Sequence, residues 1–465
     1  LALVRSSTIS HWHFVWKRLY AIPLAFFGVG TYRAWLAIFF RYNAYPGIGT
    51  FDYFIFEGAI GVVSLVLALV ATRITPLWSN KKATVFTWLA MTIGSAVLAI
   101  ASFITQSQYA VWAGLVLSGG GLASLILMWA EFYGSLNPMR VALYHAIALF
   151  LGECIKWIFM GMSAPYLVFF SLILPSISIV QVKLSMHAIP ELDLPAKPHE
   201  DSKKPFPWKP ILLMSTCTFS GGFGGIPGQQ LLIGNVTGTV FVTALVAVGV
   251  LSRAKWFNFD TIYQLAFPFI TVGFMLLPAT FDLSGQVRAF CYDAGYSMLS
   301  MFIMLIMSNI TYRFGISAVW LNGIERGVRY VVEVLGWLTG YTLVRSASPQ
   351  TTQAVVLIIT IILSIVFIAV FHSERNLSAR WGIRLEDIDD QRKKERELTV
   401  SDLSKKRGLT PREEEVFQLV MRGDSIQRIS EELFVSQGTV KAHINHIYRK
   451  LGIHSRQEML DLVEK

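Results

Sequence analysis

The stretch LTPREEEVFQLVMRGDSIQRISEELFVSQGTVKAHINHIYRKLG, residues 409–452, carries the most specific pattern in the chain. Thr410 can cap a helix, Pro411 suits its first position, and Glu413 completes a capping box. Val416, Leu419 and Val420 then recur at helical spacing until Gly423 ends the helix. A second helix follows from Ser425, with Ile426, Ile429 and Leu433 inward. The turn Phe434-Val435-Ser436 leads to a third, Gln437 to Leu451, which Gly452 stops. Val440, Ile444, Ile447 and Leu451 form its apolar stripe, and Gly438, Lys441, Ala442, Asn445 and Arg449 are left on the opposite face. Ser455 to Glu458 repeats the capping-box spacing and opens a fourth helix, in which Met459, Leu460 and Val463 remain for packing or for a partner.

A free helical face of that composition fits the major groove of double-stranded DNA, where Asn pairs with adenine and Lys with guanine acceptors. Leu409-Thr-Pro-Arg-Glu, Gly423, Ile429, Glu431, Leu433, Ser436, Gly438-Thr-Val-Lys441, His443 and Lys450-Leu-Gly452 resemble the LuxR/GerE helix-turn-helix module. The resemblance covers about the last eighth of the chain. It implies a four-helix domain that dimerises on DNA through its last helix (Met459, Leu460, Val463). Base contacts would come from Lys441, Ala442 and Asn445, and phosphate contacts from Thr439 and Lys450. Gln437, at a position where the family often has Glu, would join this DNA-binding set.

Upstream, the composition changes class. The 465 residues are 54% hydrophobic and 15% charged, with a mean hydropathy of +0.51, outside the soluble norm. Stretches near the ~20 residues that cross a bilayer fall at 19–40, 53–73, 83–105, 109–132, 140–160, 164–186, 209–226, 236–252, 261–280, 288–310, 316–343 and 353–371. The expected fold is therefore all-α: twelve transmembrane helices over 1–371, a linker over 372–408, and a helix-turn-helix domain over 409–465. Lys and Arg concentrate in alternate loops, from Lys17 and Arg18 to Arg313, which puts both termini in the cytoplasm. The net charge of +10 resides in the membrane part: residues 1–371 carry 22 Lys+Arg against 13 Asp+Glu, and residues 409–465 carry 8 against 9. Cys154, Cys217 and Cys291 all fall in spans, so no disulfide, metal site or cofactor is expected.

A polar loop over 188–207 divides the spans into halves, 1–187 and 208–371. A shift of 180 residues brings Gly58 onto Gly238, Arg73 onto Arg253, Glu153 onto Glu333 and Trp157 onto Trp337, as parallel repeats would. Six plus six spans resemble the major facilitator architecture, although the first hairpin loop, Thr72 to Trp78, lacks that family's Gly/Asp/Arg-rich signature. Ser118-Gly119-Gly120-Gly121, in mid-span with no preceding strand, reads as close helix packing rather than a phosphate loop. Gly221 to Gly228 would break the seventh span near the outer surface.

Ionisable residues inside spans are costly and face a cavity or one another. Arg33, Glu57, Glu153, Lys156, Asp293, Asn322, Glu325, Arg329 and Glu333 form the candidate ligand-binding set, most of them in the outer half. His145 reads as a packed polar residue. The linker alternates charges, with a short helix expected at 384–397.

The whole chain resembles the polytopic LuxR-type regulators of bacteria. That resemblance implies a multi-pass inner-membrane protein in which the membrane domain senses a small anionic or aromatic ligand from outside and the C-terminal module binds promoter DNA. The alternative is a permease with a DNA-binding regulatory tail. No Ser-His-Asp or metal-ligand constellation points to an enzyme.

Overall fold

The computed structural model describes residues 23–42, 44–189, 206–224, 236–251, 259–276, 284–346, 348–373, 400–422, 424, 426–453, 458–459 and 462. All regular structure among them is helical, in two compact units, Leu1–Ile383 and Arg384–Lys465.

The long helices of the first unit are α1 (Leu24–Phe40), α2 (Thr50–Leu69, followed by a single turn over Ala71–Ile74), α3 (Lys81–Ile100, continued by a π-turn over Ala101–Thr105), α4 (Gln108–Gly134), α5 (Pro138–Phe159) and α6 (Ala164–His187). After the central loop come α7 (Trp208–Gly224), α8 (Val236–Leu251), α9 (Phe259–Met275), α10 (Ser284–Phe314), α11 (Ala318–Ser346) and α12 (Pro349–Ser373). Their starts are chemically marked. Asn80 accepts from the N–H groups of Lys82 and Ala83 at the head of α3, and Asn137 does the same for Arg140 ahead of Pro138 in α5, satisfying N–H groups that a helix start leaves open.

Among the described residues, six helices are long and apolar enough to cross a membrane: Phe51–Leu69, Lys81–Thr105, Gln108–Gly134, Arg140–Phe159, Ala164–His187 and Gln286–Phe314. Leu24–Phe40, Thr237–Val250 and Ala354–Val370 are shorter apolar helices. In α11 the charges of Glu325, Arg326, Arg329 and Glu333 interrupt an otherwise spanning length. Leu357, Ile361, Ile365 and Ile368 of α12 and Val85, Leu89 and Ile93 of α3 point out of the bundle, exposed, as a lipid-facing surface requires. This is a multi-pass membrane protein.

Packing between these helices repeats. α1 lies on α5 as α7 lies on α11, α2 on α4 as α8 on α10, and α3 on α4 as α9 on α10. The halves meet through α2 on α11 and α5 on α8, the same pairing exchanged between halves. Hence Glu153 of α5 and Glu333 of α11 hold equivalent places, as the 180-residue shift anticipates. Arg253 of that alignment lies outside the described residues.

Glycine lets several of these helices touch backbone to backbone. In the Ser118 to Gly121 run, a Cβ on Gly119 would stand 2.7 Å from the Phe56 carbonyl of α2, and one on Gly121 2.9 Å from the Met91 nitrogen of α3, so the run is a packing surface. Gly30 of α1 would place a Cβ 2.2 Å from the Ala148 carbonyl and 2.8 Å from the Gly152 nitrogen of α5. Gly30→Ala should therefore force these helices apart, at about 1–3 kcal/mol. Thermal unfolding of the solubilised chain reads this as a lower midpoint; an unchanged midpoint would show that the two helices separate freely. Of the Gly221 to Gly228 break, α7 ends at Gly224 and the remainder lies outside the described residues, as does the helix expected at 384–397.

Candidate functional site

In the second unit the helices are α13 (Pro411–Arg422), α14 (Ile426–Glu432) and α15 (Gln437–Leu451), preceded by a helical segment over residues 400–406. The capping box forms: Thr410 N–H donates to Glu413 Oε2 at 2.7 Å, and Glu413 N–H to Thr410 Oγ1 at 3.3 Å. Ser436 Oγ accepts from Thr439 N–H at 3.1 Å to start α15, and Gly452, at φ +71°, ends it. Val416, Phe417, Val440, Ile447 and Met459 are fully buried, joined by Val400 from the preceding segment. Gly423, Ser425, Ser455, Leu460 and Val463 lie outside the described residues.

Gln437, Gly438, Thr439, Lys441, Ala442, Asn445 and Arg449 of α15 are all exposed, so the face expected to read DNA is free. One expectation gains a second role and another changes. Lys450, assigned to phosphate, donates to Glu413 Oε2 at 2.7 Å and to the Gly408 carbonyl at 2.9 Å, because Glu413 is buried beside it and needs a cation. Met459, assigned to dimerisation, is wholly buried in the module's own apolar cluster with Val416, Val440 and Ile447, because an apolar side chain is more stable in that core than in water; no surface of it remains for a second copy.

Burial by itself would raise the Glu413 carboxyl, yet the Lys450 hydrogen bond, the Thr410 N–H and hydroxyl, and the Lys450 charge together lower it to about 2. A carboxylate with a depressed folded-state pKa contributes stability that is present above the ordinary glutamate range and lost as pH falls toward 2. Hydrogen exchange of peptides from residues 411–451 should accordingly rise on acidification between about pH 4.3 and about 2. Glu413→Gln should flatten that dependence, and an identical profile in the variant would remove Glu413 as its cause.

Phe434, in the turn before α15, is 94% exposed and sits at φ +55°, a conformation that costs a side-chain-bearing residue roughly 1–2 kcal/mol. Glycine takes that conformation without strain. Phe434→Gly should thus raise the module's stability by about 0.5–1 kcal/mol, seen as slower exchange across α14 and α15; faster exchange would mean that the ring has a packing role.

In the first unit a cavity of about 210 Å³ lies between the halves. Its lining comes from the later part of α1 and α5, the first turns of α2, the end of α7, and the middle of α4, α10 and α11. Seven residues of the expected ligand set line it together: Arg33, Glu57, Glu153, Lys156, Asp293, Arg329 and Glu333. Two do not. Asn322 donates to the Ala318 carbonyl within its own helix at 3.0 Å. Glu325 lies behind the wall, 3.2 Å from Arg326 Nε and 3.6 Å from Arg329 Nε, because a carboxylate at this depth is stable only beside a cation.

The seven are not equivalent. Asp293 accepts from Thr239, from the N–H at 2.7 Å and from the hydroxyl at 3.0 and 3.1 Å, which ties α10 to the start of α8. Lys156 pairs with Glu153 at 2.6 Å one turn away on α5. Arg329, 2% exposed, donates from Nη1 to the Tyr296 hydroxyl at 3.1 Å, while its Nε and Nη2 have no hydrogen-bond partner among the described residues. Glu57, 4% exposed, faces Glu333 and Tyr53, and its Oε2 is likewise without one. Such buried, incompletely satisfied polar atoms are rare in native structures.

Sequence reasoning missed the aromatic part of the wall. Tyr32, Tyr53, Tyr292, Tyr296 and Tyr330 line the cavity, with Tyr292 and Tyr296 nearly parallel at 6.2 Å and 18°. Their i,i+4 spacing on α10, beside Asp293, was a usable signal. His145 also lines this cavity, its Nδ1 unpartnered among the described residues, while the ring is buried and packs edge-on against Tyr133 at 5.2 Å, a packed polar residue that also forms wall.

Comparison with known proteins agrees with this division. The family model for bacterial regulatory proteins of the luxR family matches residues 407–463. The spore germination protein GerE of Bacillus subtilis is 42% identical over 50 residues, 11% of this chain and 68% of GerE. Rv0890c of Mycobacterium tuberculosis, whose name places it among HTH-type transcriptional regulators, is 47% identical over 53 residues, 11% of this chain but only 6% of that protein. Among solved structures, the human organic anion transporter MFSD10 (TETRAN) superposes over 74% of this chain and 89% of its own, at a TM-score of 0.52 and 10% identity, a likeness of fold alone. The N-terminal three-quarters thus has a major-facilitator-like fold, and through its DNA-binding helix-turn-helix domain the chain belongs to the luxR family of bacterial regulatory proteins.

Proposed function

We propose that this chain is a one-component transcription regulator in which the membrane domain senses a small ligand and the C-terminal module answers on promoter DNA. The carrying observation is the cavity between the halves, lined by seven of the nine expected ionisable or polar residues in the same polypeptide as a DNA-binding domain. All twelve helices of the first unit cross the bacterial inner membrane in this reading, with both termini cytoplasmic. Lys and Arg lie in alternate loops, and DNA is accessible to the module only on the cytoplasmic side. The cavity then opens outward, because its α1 lining comes from the later part of that helix. The module binds DNA as a homodimer, since its near-neutral charge gives one copy little hold on phosphate, and no catalytic step is part of the mechanism.

A ligand signals only if it favours one of two membrane-domain states. The α2–α11 and α5–α8 contacts are where halves of this kind can rock against each other. The test is reconstitution of the full chain in nanodiscs with its promoter DNA. A compound that binds the membrane domain should change DNA occupancy, and unchanged occupancy at saturating compound would exclude sensing. The transporter-like fold supports a second reading, a permease with a regulatory tail, for which uptake into proteoliposomes is the discriminating measurement.

A further inference from the structure

Four side chains of the cavity wall, Glu57, His145, Arg326 and Arg329, carry buried polar atoms without a hydrogen-bond partner among the described residues, and two of them, Arg329 and Glu57, are of opposite kind. Arg329 has two nitrogens without a hydrogen-bond partner among the described residues, of which Nε stands 3.6 Å from Glu325 Oε1 and Nη2 is open, and Glu57 has one such carboxyl oxygen, Oε2, with Glu333 and Tyr53 as neighbours. The two groups stand within electrostatic reach of each other. We infer that the cavity takes a zwitterion, a small amino acid bearing a single aromatic ring, with its carboxylate on Arg329 and its ammonium against Glu57 and Glu333.

Charges of both signs line the cavity. Five cationic and four acidic side chains face it, and Glu325 pairs with Arg326 and Arg329 from behind. A zwitterion brings no net charge into this poorly hydrated site, where an uncompensated charge is costly, and offers a group of each sign to the open atoms of Arg329 and Glu57. A guanidinium is suited to carboxylate through its planar fork of donors, and an ammonium is further stabilised by the faces of neighbouring tyrosine rings.

Size and wall chemistry select the rest of the molecule. The volume of 210 Å³ is below the ~300–1,000 Å³ of drug-sized pockets, so it admits one ring with a short polar arm. Phe54, Tyr292, Tyr296 and Tyr330 supply aromatic surface for that ring, in offset or edge contact.

This assignment rests on the sensing reading, and its test separates the two. Thermal stabilisation of the detergent-solubilised full chain is titrated with phenylalanine, with 3-phenylpropionate, which lacks the ammonium, and with phenethylamine, which lacks the carboxylate. Phenylalanine should act at a concentration at least tenfold lower than either truncated probe. Glu57→Gln should bring phenylalanine and 3-phenylpropionate together, while Arg329→Gln should bring phenylalanine and phenethylamine together; Glu333→Gln serves where Glu57→Gln does not fold. Stabilisation by 3-phenylpropionate equal to that by phenylalanine would overturn the zwitterion in favour of an anion site, and equality for phenethylamine would do so in favour of an amine site. Stabilisation by none of the three would overturn the aromatic amino-acid class. In each of those cases the sensing reading stands or falls separately, on whether any bound compound changes DNA occupancy.

Discussion

Arg329→Gln should abolish the transcriptional response to the inducing compound while the protein remains inserted at its normal level. The side chain lines the cavity, is 2% exposed and held by Tyr296 at 3.1 Å, with Nη2 left without a hydrogen-bond partner among the described residues. Truncating one partner of a desolvated charge pair typically costs 2–5 kcal/mol, so the ligand concentration for half response should rise by about 30-fold or more. The structural alternative, that Arg329 merely neutralises glutamate, predicts misfolding instead. Glu325, however, retains Arg326 Nε at 3.2 Å when Arg329 is lost, closer than the 3.6 Å it has to Arg329 itself. Immunoblotting of membranes beside a promoter reporter decides the matter: an unshifted response, or absence of the variant from the membrane, would show that Arg329 is no receptor residue.

Lys441→Ala and Asn445→Ala should each weaken operator binding by about 1–3 kcal/mol, and the loss should be specific to the base pairs they read. Both side chains are exposed on α15, opposite the stripe of Val440 and Ile447, which are fully buried, so neither replacement touches the core. The comparison is made with the full chain, at fixed salt, on an operator selected from a randomised duplex pool. Normal binding by both variants would remove α15 as the reading helix. Lys450→Ala tests a different property. Because Lys450 holds Glu413 at 2.7 Å, its loss should destabilise the module as well as weaken DNA binding, and a loss of affinity with unchanged hydrogen exchange would leave it the phosphate role alone.

Much of the DNA-binding module was legible in the sequence because its signals are local. Thr410 with Glu413, Ser436 with Thr439, and Gly452 each act within one helical turn, and Val440, Ile447 and Leu451 declare a buried stripe by spacing alone. Where the reading was incomplete, a second element was involved. Lys450 meets Glu413 across 37 residues, and Met459 belongs to the buried cluster that holds Val416 and Val440, relations that helical periodicity does not contain. The bundle shows the same boundary. Apolar length predicted the helices, and the shared 180-residue spacing predicted two halves, since repeats leave matched residues along the chain.

What the sequence by itself determined is which residues are anomalous: charges in apolar helices must have partners or a cavity, because the bilayer supplies neither. Which of the two each one has was decided only by tertiary structure. Asp293 and Arg329 read alike in sequence, each an ionisable side chain within a helix. Thr239 of α8 donates to both carboxylate oxygens of the first at 2.7–3.1 Å. Tyr296 of α10 meets only part of the second's need at 3.1 Å. The difference arises because hydrogen bonds depend on where neighbouring helices place their side chains, and that placement is set by packing between the halves.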